Sequence, residues 1–372
     1  MKYDAITLDT SIFERHQLNL KGGMLKQLYQ FKDGPGKFVL SEIVIREVVR
    51  HLALRAERAK DAVSVAIQKA HESELVDDAG HASLKAIDEK IVAPITAARG
   101  QITTLMKASG CDIVLADKGD MKRLTTMYFG YDAPFEDNDE KKNEFPDAIA
   151  LITLEDWAKA NKKKLLAISG DKGWARFAEK SEWIDVQTDL APALQALQDD
   201  AENARKIVAS LIVEMASGKA PDMLKTIETA VLNGVGELSP YVEASAGYFF
   251  DSELLSMAGT SMDFVDLEAN DYDFQIVQIG KDVVVARINV NVKAKAEAEF
   301  VFQIKDEGEY IPIGDLHAET DVEFEAGALV TLEGDFAAVP PVIELTEVEL
   351  VDGPKEIDFG DVSPDYGAPE DD

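Results

Sequence analysis

The apolar residues of this chain change their spacing part-way along, and that change restricts the fold more than any other feature. In residues 1–190, short apolar runs at Tyr3–Asp9 (YDAITLD), Lys37–Leu40 (KFVL), Lys164–Ser169 (KLLAIS) and Trp183–Val186 read as buried strands. Between them the apolar positions recur at helical spacing. Val44, Val48, Leu52 and Ala56, continued by Ala59, Val63 and Ile67, predict one long helix capped by Ser41. Further helices are expected over Ala82–Met106 with a bend near Pro94, over Asp147–Ala160, from Lys172 onward and over Leu190–Glu214. Residues 112–143 read as a short helix and a long polar loop, Phe129–Asn143, of a length that loops often reserve for function. Strands alternating with helices predict an α/β fold, a doubly wound parallel sheet covered on both faces and carrying a helical extension. Beyond about Gly234 the period becomes two: Ala294, Ala296, Ala298, Phe300, Phe302 and Ile304 share one face of a strand. A second, antiparallel β-rich domain is expected there, a barrel or a sandwich. The implied layout is an α/β domain over 1–190, a helical connector over 191–235 and an acidic β-rich domain over 236–351. An acidic, Pro- and Gly-rich stretch, 352–372, is expected to be disordered.

Charge follows the same division. The chain of 372 residues has a net charge of −32, which taken alone argues against binding phosphate. Residues 1–190, however, hold 28 Lys+Arg against 31 Asp+Glu, whereas 191–372 hold 10 against 39. The first half can therefore still offer a basic groove, and the second is a poor surface for phosphate. The acidity of the second half serves solubility or competes with nucleic acid for the first half; charge alone leaves both readings open. One cysteine, Cys111, excludes an intrachain disulfide and a cysteine-rich zinc module, and suggests a reducing, cytoplasmic setting. No apolar run reaches the ~20 residues of a membrane helix, and the acids within the first nine residues do not suit a signal peptide.

Histidine offers no metal-binding spacing at His16, His51, His71, His81 or His317, and Gly234-Val235-Gly236 reads as a turn and not as a dinucleotide loop. The acids are more informative. In a doubly wound sheet, ligands bind beyond the carboxyl ends of the strands. Asp9 ends the first strand, Asp171 lies just past the Lys164–Ser169 strand, Asp147 lies in the first turn of a helix, and Glu47 lies near the start of the helix that leaves the second strand. Taken singly, each is a helix cap or a solvated end. Together on one edge they repel one another unless protonated or holding a cation, and all-oxygen ligation suits Mg or Mn.

The ordered segments Leu8-Asp9-Thr10-Ser11, Leu40 to Glu47 (LSEIVIRE), Phe145-Pro146-Asp147-Ala148 and Ile168 to Trp174 (ISGDKGW) resemble the PIN domain. That resemblance covers roughly residues 1–190. It implies a metal-dependent nuclease, in this family largely a ribonuclease, cutting phosphodiester bonds of single-stranded RNA with one or two divalent ions. Carried over position by position, the acidic quartet falls on Asp9, Glu47, Asp147 and Asp171, with Glu144, one helical turn earlier, as a further candidate ligand. Ser11 stands where many members have Asn. Ser11, Arg46, Arg50, Ser169 and Lys172 are the candidate phosphate contacts, although for the arginines a solvated helix face is the plainer account. The resemblance is compatible with a toxin or antiphage effector, with a homo-oligomer and with a regulatory protein partner. Two alternatives stay open: an inactive interaction scaffold, and a nuclease for structured DNA.

Overall fold

The computed structural model describes residues 2–136, 141–198, 201–268, 271–306, 309–338 and 341–365. The chain divides into two compact units, Met1–Asp199 and Asp200–Asp372.

In the N-terminal unit the elements run β1 (Ala5–Leu8), α1 (Thr10–Arg15), α2 (Gly23–Lys26), β2 (Lys37–Ser41), α3 (Glu42–Glu72), α4 (Asp78–Asp88), α5 (Pro94–Ser109) and β3 (Asp112–Val114). They continue with α6 (Met121–Gly130), α7 (Phe145–Asn161), β4 (Leu165–Ile168), α8 (Lys172–Ala178), β5 (Ile184–Gln187) and α9 (Leu190–Ala196). Five strands form one parallel sheet in the order β3-β2-β1-β4-β5. This is the doubly wound α/β sheet expected from the alternation of elements. The chain winds outward on one side of β1 through β2 and β3, then crosses to the other side through β4 and β5. The switch in strand order therefore falls between β1 and β4, where such sheets open a crevice. One face of the sheet packs Ala5, Val39, Val114, Leu165 and Ala167 against Leu124 and Met127 of α6, Leu151 and Leu154 of α7 and Trp174 of α8. The alternate residues Ile6, Leu8, Phe38, Leu40, Leu166 and Ile168 are fully buried on the other face, so the strands read as continuous apolar runs.

Ser41 caps α3 by accepting the Ile43 amide, and the helix runs for 31 residues. The helix expected over Ala82–Met106 is instead two, α4 and α5. Pro94 opens the second, where its missing N–H costs nothing. Strand β3 escapes the sequence pattern because it is three residues long and lies at the sheet edge with Asp112 and Ile113 exposed. Part of the polar loop Phe129–Asn143, residues 137–140, lies outside the described residues. The helix expected over Leu190–Glu214 is also two, α9 and α10 (Ala201–Ala216).

The C-terminal unit contains α10, α11 (Pro221–Val235), β6 (Tyr241–Ser245), β7 (Phe249–Phe264), β8 (Asp266–Glu268), β9 (Asp271–Tyr272) and β10 (Phe274–Ile279). It ends with β11 (Val283–Asp306), β12 (Glu309–Asp335), β13 (Val342–Val351) and β14 (Glu356–Asp361). The antiparallel sheet runs β10-β11-β12-β13, with β7 also paired to β11. Among the described residues its strand path stays open and closes no barrel. Strand β11 is 24 residues long, about 80 Å, and its even-numbered residues from Val284 to Phe302 are buried on one face while the odd-numbered face is largely polar. Helices cover one stretch of the apolar face: Val208, Ile212 and Met215 of α10 and Ile227, Val231 and Val235 of α11 pack on Ile276, Ala286, Ile288 and Val330. The segment 191–235 thus contributes to a core beyond connecting two domains. Gly234 lies inside α11 and not in a turn; a Cβ there would stand 2.8 Å from Leu350, so glycine lets the helix lie close to β13.

The far stretch of the face is covered by the parallel pair β6–β14, with Val362 against Ala298, Phe300 and Phe302. Residues 356–361 are consequently a strand and not a disordered tail, because Ile357 alternates with acids and buries itself against the sheet. Residues 366–372 of that expected tail lie outside the described residues. Among the described residues no helix is long and apolar enough to cross a membrane. Phe300 is fully buried, so Phe300→Ala should cost about 3–5 kcal/mol in chemical denaturation followed by a C-terminal-unit signal. Phe249→Ala, at a position 60% exposed, should change stability by less than about 0.5 kcal/mol.

Candidate metal centre

The carboxyl edge of the parallel sheet places Asp9 and Asp171 on either side of the strand-order switch. Asp9 follows β1 directly, and its amide donates to the Ile168 carbonyl at the end of β4, 2.9 Å away. That bond fixes Asp9 to the neighbouring strand. Asp171 caps α8: its Oδ1 accepts the Gly173 and Trp174 amides at 2.6 and 3.2 Å. Asp147 sits in the first turn of α7 behind Pro146, and Glu47 lies on the second turn of α3.

Each acid is oriented by a specific donor. The hydroxyls of Ser11 and Ser169 both donate to Asp9 Oδ2, at 2.6 and 2.8 Å, and Ser169 in turn accepts the Asp171 amide at 3.0 Å. The Trp174 indole N–H donates to Asp147 Oδ1 at 2.7 Å, and the Thr10 hydroxyl to Glu47 Oε2 at 2.7 Å. Asp147, Glu47 and Asp171 therefore each hold one oxygen in place, and the other makes no hydrogen bond among the described residues. None of the four acids has an ion-pair partner there either.

Burial pushes the Asp9 carboxyl above the usual range, and the nearby charge of Asp171 adds to that, against the hydrogen bonds from Ser11 and Ser169. Asp147 is pushed up to about 7, chiefly by burial and further by Asp9, Asp171 and Glu47, although the Trp174 hydrogen bond opposes the rise. The four carboxylates thus share one electrostatic neighbourhood. No three of them bring ligand oxygens within 4.8 Å of one another, in keeping with repulsion among carboxylates that no opposing charge relieves. Among the described residues only Glu299, Asp315 and His317, on the polar face of β11 and β12, come that close together. A half-buried set of carboxylates, preoriented by neutral donors and lacking a lysine or arginine, fits a hard divalent cation.

The remaining expected residues divide. Glu144 is the residue before α7, one turn ahead of Asp147. Ser11 and Ser169, read as phosphate contacts, have their donors committed to Asp9 and position that carboxylate. Arg46 is held by Glu42 at 2.5 Å. Arg50 and Lys172 are exposed and unpaired among the described residues, so both remain open to an anion. Thr10 and Trp174 were not among the expected site residues, although each lies within three positions of an acid that was, Thr10 beside Asp9 and Trp174 in the turn that Asp171 caps. Burial pushes the Cys111 thiol up to about 12, which disfavours its thiolate.

Asp147 is raised in the folded chain, so its contribution to stability is present below the unfolded carboxyl range and is lost as pH climbs through about 7. The metal-free protein should accordingly melt several degrees lower at pH 8.5 than at pH 6. Asp147→Asn, which removes the buried charge, should shrink that difference in calorimetry at the two pH values; an unchanged difference would place its cause elsewhere.

Residues 6–174 match the family model of the PIN domain. No curated protein and no solved structure matches the chain significantly. Over that stretch the N-terminal unit, with its five-stranded parallel sheet, is PIN-like, and PIN domains are generally metal-dependent nucleases.

Proposed function

We propose that the PIN domain of this chain is a metal-dependent endoribonuclease that hydrolyses single-stranded RNA with Mg or Mn held by Asp9, Glu47, Asp147 and Asp171. One observation supports the reading: four carboxylates, each oriented by neutral donors and none with an ion pair among the described residues, gather at the strand-order switch, close enough for Asp9, Asp171 and Glu47 to add to the rise that burial imposes on Asp147. Such a cluster is costly unless a cation neutralises it.

The bound ion would lower the pKa of a water and neutralise charge on the scissile phosphate. The residues around it supply orientation. Asp9, tied to β4 through its backbone and to two serines through Oδ2, is the most rigid of the four and sets the position of the centre. Asp147 presents its carboxylate from the first turn of α7 and Asp171 from the N-cap of α8, so the positive ends of both helix dipoles would face a phosphate bound there. Glu47, held by Thr10, has the longest side chain and suits contact through a water. Arg50 and Lys172 flank the acids on α3 and α8 and are the free cations for steering the RNA backbone. None of the acids is the attacking group. Water would be.

Asp9→Asn and Asp147→Asn should each lower Mn-dependent cleavage of a single-stranded oligoribonucleotide by a hundredfold or more, since the ion's contribution is several kcal/mol. Far-ultraviolet circular dichroism should be unchanged. Manganese titration of the parent should show tight binding that both variants weaken. A parent that binds manganese and cuts only branched or flapped DNA would replace RNA with structured DNA. A parent that binds no manganese would leave the domain an interaction scaffold.

A further inference from the structure

Helix α6 presents an exposed row that the catalytic reading leaves unused. Its inner face buries Leu124 and Met127, while Met121, Thr125 and Phe129, spaced four apart, face solvent. Phe129 is 76% exposed, and Tyr131, directly after the helix, is 52% exposed. Tyr131 holds a left-handed backbone conformation, φ 55°, that disfavours any residue with a β-carbon.

This end of α6 is fixed to both helices that present acids to the metal centre. Tyr128 stacks on Phe145 with ring centroids 4.9 Å apart, and Phe135 meets both rings edge-on at 5.4 and 5.1 Å. Phe145 is the first residue of α7, two before Asp147. On the other side, Pro134 packs against Gly173, where a Cβ would stand 2.9 Å from the proline. Gly173 is two residues beyond Asp171. Arg176 pairs with Glu136 at 2.5 Å and Lys180 with Asp132 at 3.0 Å, which ties the loop to α8 and its end and offsets the charges of those two of the loop's acids. The helix that carries Phe129 is thereby packed against the starts of α7 and α8, with Lys122 exposed on α6 and Lys172 on α8.

We propose that Phe129, with Tyr131 beside it, is a stacking platform for an unpaired base of the substrate, positioning single-stranded RNA next to the metal centre. The proposal rests on the nuclease reading and extends it by locating where the strand is gripped. Aromatic rings take bases of any identity, because every base has a π-face, so the platform selects for strandedness and not for sequence. In a duplex those faces are covered by neighbouring bases, which leaves the rings nothing to stack on. Phe129 and Tyr131 act as positioning residues and touch no reacting atom.

The test is binding of a labelled single-stranded oligoribonucleotide by fluorescence anisotropy, in the Asp147→Asn background so that it is not cut. Phe129→Ala should raise Kd about tenfold, Phe129→Trp should restore it, and binding of a duplex of the same sequence should not change. In the chain with Asp147 intact, Phe129→Ala should raise KM and leave kcat and manganese affinity near the parent values. Tyr131→Gly should weaken binding without lowering Tm, because glycine relaxes the left-handed backbone. Parent-like single-strand binding by Phe129→Ala would overturn the platform, as would equal losses for single strand and duplex. If the parent binds manganese and cuts RNA with a KM that Phe129→Ala does not change, only the platform falls. A parent that binds no RNA overturns the platform and the nuclease reading together.

Discussion

Repulsion among carboxylates at the carboxyl edge of the parallel sheet is the constraint around which the N-terminal unit is arranged. Strand β1 ends in Asp9, and the adjacent strand β4 fixes that residue through the Ile168 carbonyl. Two helices then begin at the same edge, α7 with Asp147 in its first turn and α8 with Asp171 as its cap, and α3 brings Glu47. A protein core would normally answer such a cluster with lysine or arginine. Here the answer is a set of neutral donors, Ser11, Ser169, Thr10 and the Trp174 indole, which orient the charges without cancelling them. Orientation without neutralisation is costly for a metal-free fold and useful for a cation site. Burial raises the pKa of Asp147, and the neighbouring acids add to that rise.

The C-terminal unit solves a different problem with a simpler device. Strict two-residue alternation gives β11 and β12 one apolar face over an unusual length, and a single sheet that long cannot bury its face against itself. Two elements share the task. Helices α10 and α11 take one stretch, approached closely because Gly234 and Gly259 have no side chain between helix and sheet. The β6–β14 pair takes the other, with the aromatic pair Phe300 and Phe302 under it. The polar face of the same strands carries much of the unit's acidity; Glu319, Asp321, Glu323 and Glu325 of β12 are examples.

Aromatic packing connects the acid cluster with its surroundings. Tyr128, Phe135 and Phe145 form one cluster between α6 and α7, so the position of Asp147 and that of the exposed Phe129 ring depend on the same contacts. The loop residues Asp132 and Glu136 extend that dependence to α8 through Lys180 and Arg176.

The sequence by itself determined the parallel sheet, the order of its helices and the positions of Asp9, Asp147 and Asp171 at the ends of regular elements. Uninterrupted apolar runs and helix-opening residues are local signals, and local signals survive in one dimension. It likewise determined the antiparallel character of residues 283–306 through their period of two. Tertiary structure decided the rest. Strand β3 was invisible because three edge residues with two exposed side chains carry no pattern. The break between α4 and α5 turned on whether Pro94 bends a helix or begins one. The strand at 356–361 exists because β6 and the sheet accept Ile357 and Val362, against a composition that reads as disordered. The partners that orient the acids, Thr10 for Glu47 and Trp174 for Asp147, join residues 37 and 27 positions apart. Hydrogen bonds at such separations follow from how helices dock on the sheet, and spacing along the chain does not encode them.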